Sequence, residues 1–186
     1  MNQVKDIATV HTGVYLKERP DGEVQYLQVK DFDKSTHSFF SFPSVKMANK
    51  IRKYLLSEGD LLFAAKGFVN FCVVYREAWG AAVASSSFLV LKIKDKDKIM
   101  PEYLNWHINR DDMNLRFKNM TAGNVMPSVT KTMMENMEIP VPSLSMQKKI
   151  IALTTLCDRE GALLEQIRAK RRELIQKEII HLINKQ

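Results

Sequence analysis

Cysteine is scarce in this sequence, with only Cys72 and Cys157 among 186 residues. The two are far apart and form no Cys-x-x-Cys pair, which argues against a disulfide framework and against a thiolate metal site. We expect both to be packed thiols. No apolar run approaches the roughly 18 to 20 residues that a membrane helix requires, and the N-terminal residues lack the apolar core of a signal peptide. A cytoplasmic location without a membrane partner is therefore expected.

Glycine and proline are also infrequent, with 7 and 6 residues. Together with 45% hydrophobic and 26% charged residues, this composition is typical of an ordered globular protein and argues against a disordered chain. A length of 186 residues allows one well-buried domain with an appendage and is short for two full domains. We therefore expect a single core.

Several motifs that would indicate an enzyme are missing. A DNA methyltransferase needs an Asn or Asp followed by Pro-Pro and an aromatic residue to grip a flipped base, and the sequence has no Pro-Pro pair. It also has no G-x-x-x-x-G-K-[ST] phosphate loop and no G-x-S-x-G nucleophile elbow. Neither ATP hydrolysis nor serine hydrolysis has a basis in the sequence.

The candidate ligands for a catalytic metal ion are carboxylates in predicted turns. Asp21 with Glu23 and Glu58 with Asp60 lie in predicted turns, where carboxylates usually cap backbone amides or face water. The histidines show no metal-ligand spacing; they are His11, His37, His107 and His181. We predict no catalytic residue, no metal site and no cofactor. An autonomous nuclease that uses the turn carboxylates is the alternative.

Positive charge is in excess, with a formal net charge of +7 and a pI near 9.4. Clustered Lys and Arg side chains gain free energy when they displace the counterions condensed on phosphate groups. The charge therefore favours an anionic partner such as a nucleic acid.

Apolar segments between polar turns predict β-strands in the first hundred residues, at 26–29, 61–65, 68–75 and 87–93. Pro101 suits the first helical position, and Tyr103, Leu104, His107 and Ile108 share one face, so residues 101–118 predict an amphipathic helix. A short helix is expected from Pro127–Ser128 to about 136, followed by an extended segment at 139–142. The predicted fold class is α+β, with a mixed or antiparallel β-rich domain at 1–143 and flanking helices.

Residues 145–184 contain no proline and only Gly161, and they are rich in strong helix formers. They predict one long helix of the coiled-coil type within the second region, 144–186. Its apolar residues recur every three or four positions and form a stripe that favours pairing with a second helix. Glu160 and Arg171 fall on or near this stripe, where polar groups select a pairing orientation or leave a solvated gap. The predicted dimer contacts are Leu153, Leu156, Leu163, Leu164, Ile167 and Leu174.

IPVPSLSMQKKI at 139–150 is the most specific of four motifs that, in their order along the chain, are similar to those of the specificity subunits of type I restriction-modification systems. It resembles the family's I-P-x-P-x-x-x-x-Q-x-x-I passage into a long spacer helix. EGDLL at 58–62 with Gly67 resembles the G-D-x-L strand and its following glycine, PEYL at 101–104 resembles a P-x-Y-L helix start, and 123–134 resembles a G-x-x-x-x-x-[VI] stretch. Met146 stands where the family usually has an acidic residue.

This resemblance implies a target recognition domain followed by a spacer helix. A typical member carries two of each, so the chain resembles half a subunit that catalyses nothing itself. Two copies with antiparallel helices would each read one half-site of a bipartite, symmetric target in double-stranded DNA. The implied partners are a methyltransferase subunit and a second copy of the chain, with an ATP-driven restriction subunit left open.

Loop residues with hydrogen-bonding side chains are the candidates for reading base edges. They are Lys17, Arg19, Lys34, Lys66, Asn70, Asn124 and Lys131. Cations of the segment 46–53, which predicts a solvated helix face, are the candidates for phosphate contacts. They are Lys46, Lys50, Arg52 and Lys53. The main alternative function is a non-catalytic coiled-coil adaptor that binds another protein and no DNA.

Overall fold

The computed structural model describes residues 1–19, 21–33, 39, 42–123 and 125–184. The chain divides into two units, Met1–Gln147 and Lys148–Gln186. The first contains all nine strands assigned in the described residues and the helices α1 to α5, while the second contains most of the helix α6.

The strands are short and the last helix is long. The strands are β1 (Asn2–Gln3), β2 (Ala8–Thr12), β3 (Val24–Leu27), β4 (Pro43–Val45), β5 (Leu61–Ala64), β6 (Cys72–Val74), β7 (Ala82–Ala84), β8 (Phe88–Ile93) and β9 (Glu138–Ile139). The helices are α1 (Val4–Ile7), α2 (Asn49–Arg52), α3 (Pro101–Asn109), α4 (Asp111–Met120), α5 (Lys131–Glu135) and α6 (Leu144–Ile183). These helices and strands confirm the predicted α+β class with mixed and antiparallel sheets.

A four-stranded antiparallel sheet in the order β2-β8-β5-β6 forms the centre of the first unit. All four residues of β5 are buried, because both faces of the sheet are covered and successive side chains point to opposite faces. Leu62 and Ala64 pack into the core shared with the second sheet. Phe63 points the other way, and its ring centroid lies 4.9 Å from that of Phe117 on α4.

The second sheet has the order β4-β3-β7, with β3 antiparallel to β4 and parallel to β7. Its inner residues, among them Leu27 and Ala84, pack with Phe32 and Phe88 between the two sheets. The sheets approach closely at Gly13, where a Cβ atom would lie 2.2 Å from the carbonyl oxygen of Ser85. Glycine is the residue that leaves room for this backbone contact.

The predicted strands are found in part. Residues 61–65 and 87–93 correspond closely to β5 and β8, whereas only Cys72–Val74 of the predicted strand 68–75 is extended in a sheet. β6 and β8 do not pair with each other, because both pair with β5. The sequence prediction missed β1, β2, β4 and β7.

The single helix predicted at 101–118 is wrong, since the chain breaks at Arg110 with ψ at 148°. The reason is a long-range contact. The side chain of Asn109 accepts a hydrogen bond from the backbone N–H of Cys72 and donates one to its carbonyl oxygen, both at 2.8 Å. This pair of bonds holds the end of α3 against β6, and Asp111 begins α4 in a new direction.

The predicted apolar face of α3 is confirmed, because Tyr103, Leu104, His107 and Ile108 are all buried. His107 is only 4% exposed, and neither ring nitrogen has a hydrogen-bond partner among the described residues. Burial lowers the pKa of His107, and the positive charge of Arg110 lowers it further. The neutral imidazole is therefore favoured, as befits a side chain that packs in the core.

The C-terminal segment of the first unit pairs with its N-terminal segment. β9 pairs with β1, and the N–H of Val4 donates to the carbonyl of Met137 at 2.9 Å. The short helix expected from Pro127–Ser128 begins later, at Lys131, where the Thr130 hydroxyl caps it by accepting a hydrogen bond from the N–H of Met133. A threonine in this position stabilises a helix start.

The long C-terminal helix is confirmed: α6 comprises 40 residues, or about 60 Å at 1.5 Å per residue. Cys72 is buried as predicted, but Cys157 is exposed on this helix, so the prediction of a packed thiol there is wrong. No helix in the described part of the chain is both long and apolar enough to cross a membrane.

Candidate nucleic-acid interface

Two candidate loops begin at the same end of the four-stranded sheet. Thr12, the last residue of β2, pairs with Leu89, and Ala64, the last residue of β5, pairs with Phe88. The loop after β2 carries Lys17 and Arg19, and the hairpin after β5 carries Lys66 and Asn70. Because β2 and β5 both flank β8 and run in the same direction, both loops leave from one end of the sheet.

The hairpin tip, residues 65–71, is held in place by backbone bonds to the segment before α5. The N–H of Gly67 donates to the carbonyl of Pro127, and the N–H of Val129 donates to the carbonyl of Ala65, both at 2.9 Å. Lys66 forms an isolated antiparallel bridge with Ser128. Two segments that are far apart in sequence therefore make one surface.

Apolar side chains are exposed on both segments. Phe68 is 74% and Val125 is 99% exposed, and Val69 and Met126 are also exposed. We call residues 65–71 together with 125–131 the tip surface. A patch of exposed apolar side chains rimmed by polar residues is typical of an interaction site. The sequence analysis missed these residues, although apolar residues directly after a turn glycine at 67–69 were a usable signal.

Three predicted base-reading residues lie on the tip surface. Lys66 is exposed. The amide nitrogen of Asn70 donates to the carbonyl of Ala64 at 2.8 Å, which closes the hairpin, so this donor is engaged within the domain. Lys131 is the first residue of α5 and lies 3.5 Å from Glu135. Lys34 and Asn124 fall outside the described residues.

A second group of cations lies at the edge of the second sheet. The N–H of Arg19 donates to the carbonyl of Ser44 at 2.7 Å, beside β4. Lys46 follows β4 and bonds to Asp21 at 2.6 Å; its hydrogen bond to the Asp21 carboxylate holds the pKa of that group below its usual value. Lys17 is exposed in the same loop as Arg19. The fold therefore joins Arg19 and Lys46, which lie far apart in the sequence.

The helix at 46–53 is shorter than the charge pattern suggested, since α2 spans four residues and buries only Ile51. Lys50, Arg52 and Lys53 are exposed. The Lys53 ammonium lies 5.0 Å from the centre of the Tyr54 ring. Both residues line a groove of about 390 Å³, together with His11, Thr12, Gly13, Ala84, Val90 and Lys92.

The turn carboxylates are engaged in the fold. Asp60 is buried, accepts a hydrogen bond from the N–H of Ser57 and pairs with Lys92, both at 2.9 Å. Glu58 accepts from the N–H of Glu77 and from Arg76, and these bonds lower its pKa. Within the described ranges, no group of three His, Cys, Asp or Glu residues is placed to hold a metal ion.

The predicted dimer residues of α6 lie in the second unit and are exposed there. Their exposed fractions range from 46% for Ile167 to 65% for Leu174. The full set is Leu153, Leu156, Leu163, Leu164, Ile167 and Leu174. So much exposed leucine and isoleucine on one helix is typical of an element that packs against a partner.

Solved structures with the same fold come from type I restriction-modification systems. The HsdS subunit from Thermoanaerobacter tengcongensis aligns with a TM-score of 0.64 at 15% identity, covering 88% of this chain and 38% of that chain. The S subunit from M. genitalium gives 0.59 at 12% identity, covering 85% and 38%. A chain from work on complex assembly and conformational transition of the type I R-M system gives 0.60 at 15%, covering 90% and 40%. The present chain thus spans about two fifths of each.

The sequence itself matches the family described as "Type I restriction modification DNA specificity domain" over residues 1–170. This match includes the whole first unit, the tip surface and more than half of α6. It agrees with the motifs at 58–62, 101–104 and 139–150. The chain belongs to the type I restriction-modification DNA specificity domain family.

Proposed function

We propose that the first unit reads one half-site of a double-stranded DNA target, as the recognition component of a type I-like restriction-modification assembly. The tip surface carries this proposal. It combines exposed lysines with exposed apolar side chains on two segments that the backbone holds together. Lysines neutralise phosphate and contact guanine edges, while apolar groups contact thymine methyl groups.

Lys46 and the cations of α2 and its C-terminal end act on the DNA backbone. Lys46 follows β4, and the exposed cations of α2 follow within a few residues. Phosphate contacts orient a protein on the duplex without selecting its sequence. In this proposal Lys17, Arg19, Lys66 and Lys131 contact bases, while Lys46, Lys50, Arg52 and Lys53 contact phosphate.

The chain has no catalytic role in this proposal and requires no cofactor. The carboxylates of Glu58 and Asp60 already bind backbone amides and cations of the fold. Methyl transfer would come from a methyltransferase subunit and cleavage, where it occurs, from an ATP-dependent restriction subunit. By binding the target sequence, the chain directs these subunits to it.

A second copy of the chain supplies the other half-site. The leucine and isoleucine side chains along one side of α6 are exposed in the single chain and call for a partner helix. Pairing of the exposed helices covers the apolar side chains of α6 and holds two recognition units at a set spacing. Family membership favours this proposal over an adaptor that binds no DNA.

Lys66→Ala tests the tip surface in a DNA-binding titration at several salt concentrations. We expect about tenfold weaker binding to duplex DNA and a salt dependence reduced by about one unit of slope, because one released counterion is lost. Fluorescence anisotropy with a labelled duplex measures both.

Lys98→Ala is the matched control, because Lys98 is an exposed lysine that follows the opposite end of β8. We expect its affinity to equal that of the wild type. Equal losses in the two variants would remove the tip surface from the interface. Wild-type binding that is insensitive to salt, or absent, would favour the adaptor.

A further inference from the structure

Three charged residues on the apolar side of α6 are Glu160, Arg171 and Glu178. At 100° per residue, Glu160 and Arg171 fall in line with Leu153, Leu164, Ile167 and Leu174. They are about 16 Å apart along the helix axis, too far to bond within one helix. Ion pairs within this helix link other residues, namely Glu165 with Arg168 and Glu173 with Lys170 and Lys177.

The spacing of these residues fits a heptad repeat. Cys157, Leu164 and Arg171 recur every seven residues and occupy the a positions. Leu153, Glu160, Ile167 and Leu174 recur in the same way and occupy the d positions. In an antiparallel pair of helices, an a residue of one helix faces a d residue of the other.

A two-fold axis midway between Glu160 and Arg171 passes between Glu165 and Gln166. It places Glu160 of one copy opposite Arg171 of the second copy, and the same contact occurs twice. It also places Leu164 opposite Ile167, Cys157 opposite Leu174 and, further from the axis, Leu153 opposite Glu178. Apolar residues therefore meet apolar residues in the layers next to both ion pairs.

The same axis places Lys148 opposite Ile183, which are the first residue of the second unit and the last residue of α6. The helical part of the second unit therefore overlaps over its full length. Moving the axis to pair Glu160 with Glu178 brings two like charges together, and the opposite shift buries Glu160 against Leu164 and Arg171 against Leu153. A parallel pair would place Glu160 against Glu160 and Arg171 against Arg171. Each alternative is electrostatically unfavourable.

We propose that two copies of this chain pair their long helices antiparallel about a point between Glu165 and Gln166, with Glu160 of each copy bonded to Arg171 of the other. This register deepens the proposed function, on which it rests for the pairing itself. It fixes the two Lys148 residues about 50 Å apart along the helix pair.

Leu174→Cys tests the register, because it places a new thiol opposite the exposed native Cys157 of the second copy. Mild oxidation of the full chain should give a covalent dimer that a reductant reverses. Cys72 is fully buried and does not interfere. Ala169→Cys is the matched control, since it adds a thiol on the opposite side of the helix, and it should stay uncrosslinked, as should the wild type.

Each outcome of this experiment is informative. A covalent dimer from the wild type indicates Cys157 opposite Cys157 and overturns the antiparallel register. No crosslink in Leu174→Cys, with a dimer still seen in sedimentation, overturns the register but leaves helix pairing intact. A monomer in the sedimentation of the wild type overturns both this register and the dimer of the proposed function.

Charge reversal tests the ion pairs without relying on a thiol. Glu160→Arg and Arg171→Glu should each weaken dimerisation about tenfold, because each replaces two attractive contacts by two repulsive ones. The double variant should recover an affinity close to that of the wild type. A double variant as weak as the sum of the two single variants overturns the pairing of Glu160 with Arg171.

Discussion

Gln147→Ala should lower the free energy of unfolding by about 3 kcal/mol, since it removes the side-chain hydrogen-bond partner of three backbone groups. The Gln147 side chain is fully buried. Its carbonyl oxygen accepts a hydrogen bond from the N–H of Met100 at 2.9 Å, and its amide nitrogen donates to the carbonyls of Lys98 and Pro142, both at 2.8 Å. One side chain therefore joins the start of α6 to the segments before α3 and α6.

Urea unfolding followed by tryptophan fluorescence measures this loss, because Trp79 and Trp106 both lie in the first unit. Lys148→Ala is the matched control, as Lys148 is the next residue along the helix and is exposed. Its unfolding midpoint should equal that of the wild type. An unchanged midpoint in Gln147→Ala would mean that water or a rearranged backbone replaces all three bonds.

Ile167→Asp should raise the dissociation constant of the proposed dimer about a hundredfold or more. In the proposed register Ile167 faces Leu164 of the second copy twice, so the substitution buries two carboxylates against leucine side chains. An unpaired polar group in an apolar contact costs about 1 to 3 kcal/mol by mutational data, and a charge costs more, while 1.4 kcal/mol corresponds to a factor of ten.

Sedimentation equilibrium across a concentration series measures the effect. Ala169→Asp is the control, because it introduces the same charge two residues away on the opposite side of the helix. It should leave the dissociation constant within about threefold of the wild-type value. Equal weakening by both substitutions would point to a loss of helix stability and would contradict an interface along the apolar stripe.

Local signals in the sequence were sufficient for the elements that depend on local chemistry. α6 was predicted to within one residue at each end, because a run without proline and with strong helix formers needs no tertiary contact to be recognised. β5 and β8 were found from their apolar runs. The buried face of α3 followed from helical spacing.

Elements that depend on distant residues were missed or misplaced. The break at Arg110 arises from hydrogen bonds between Asn109 and Cys72, which no local pattern reveals. β7 is a run of three residues whose extended form comes from pairing with β3. β2 reads as a polar segment because three of its five residues are exposed.

The candidate interface also combines features that local sequence predicts with features that depend on distant residues. Its lysines were predicted from residue type and loop position. The pairing of the hairpin tip with Pro127 and Val129, however, joins segments some sixty residues apart in the sequence. The exposed Phe68 and Val125 acquire a common surface only through that pairing. The sequence therefore predicts candidate side chains, whereas the fold shows which of them share a surface.

Selection from a library of random duplex DNA tests the central claim most directly, because it asks whether two paired copies of the chain each recognise one DNA sequence element. The wild-type chain is incubated with the library, and bound duplexes are recovered, amplified and sequenced over several rounds. The account predicts two short elements related by inverted symmetry, at one constant spacing with unselected bases between them. A single uninterrupted element, two elements at variable spacing, or no enrichment over the starting library would contradict it.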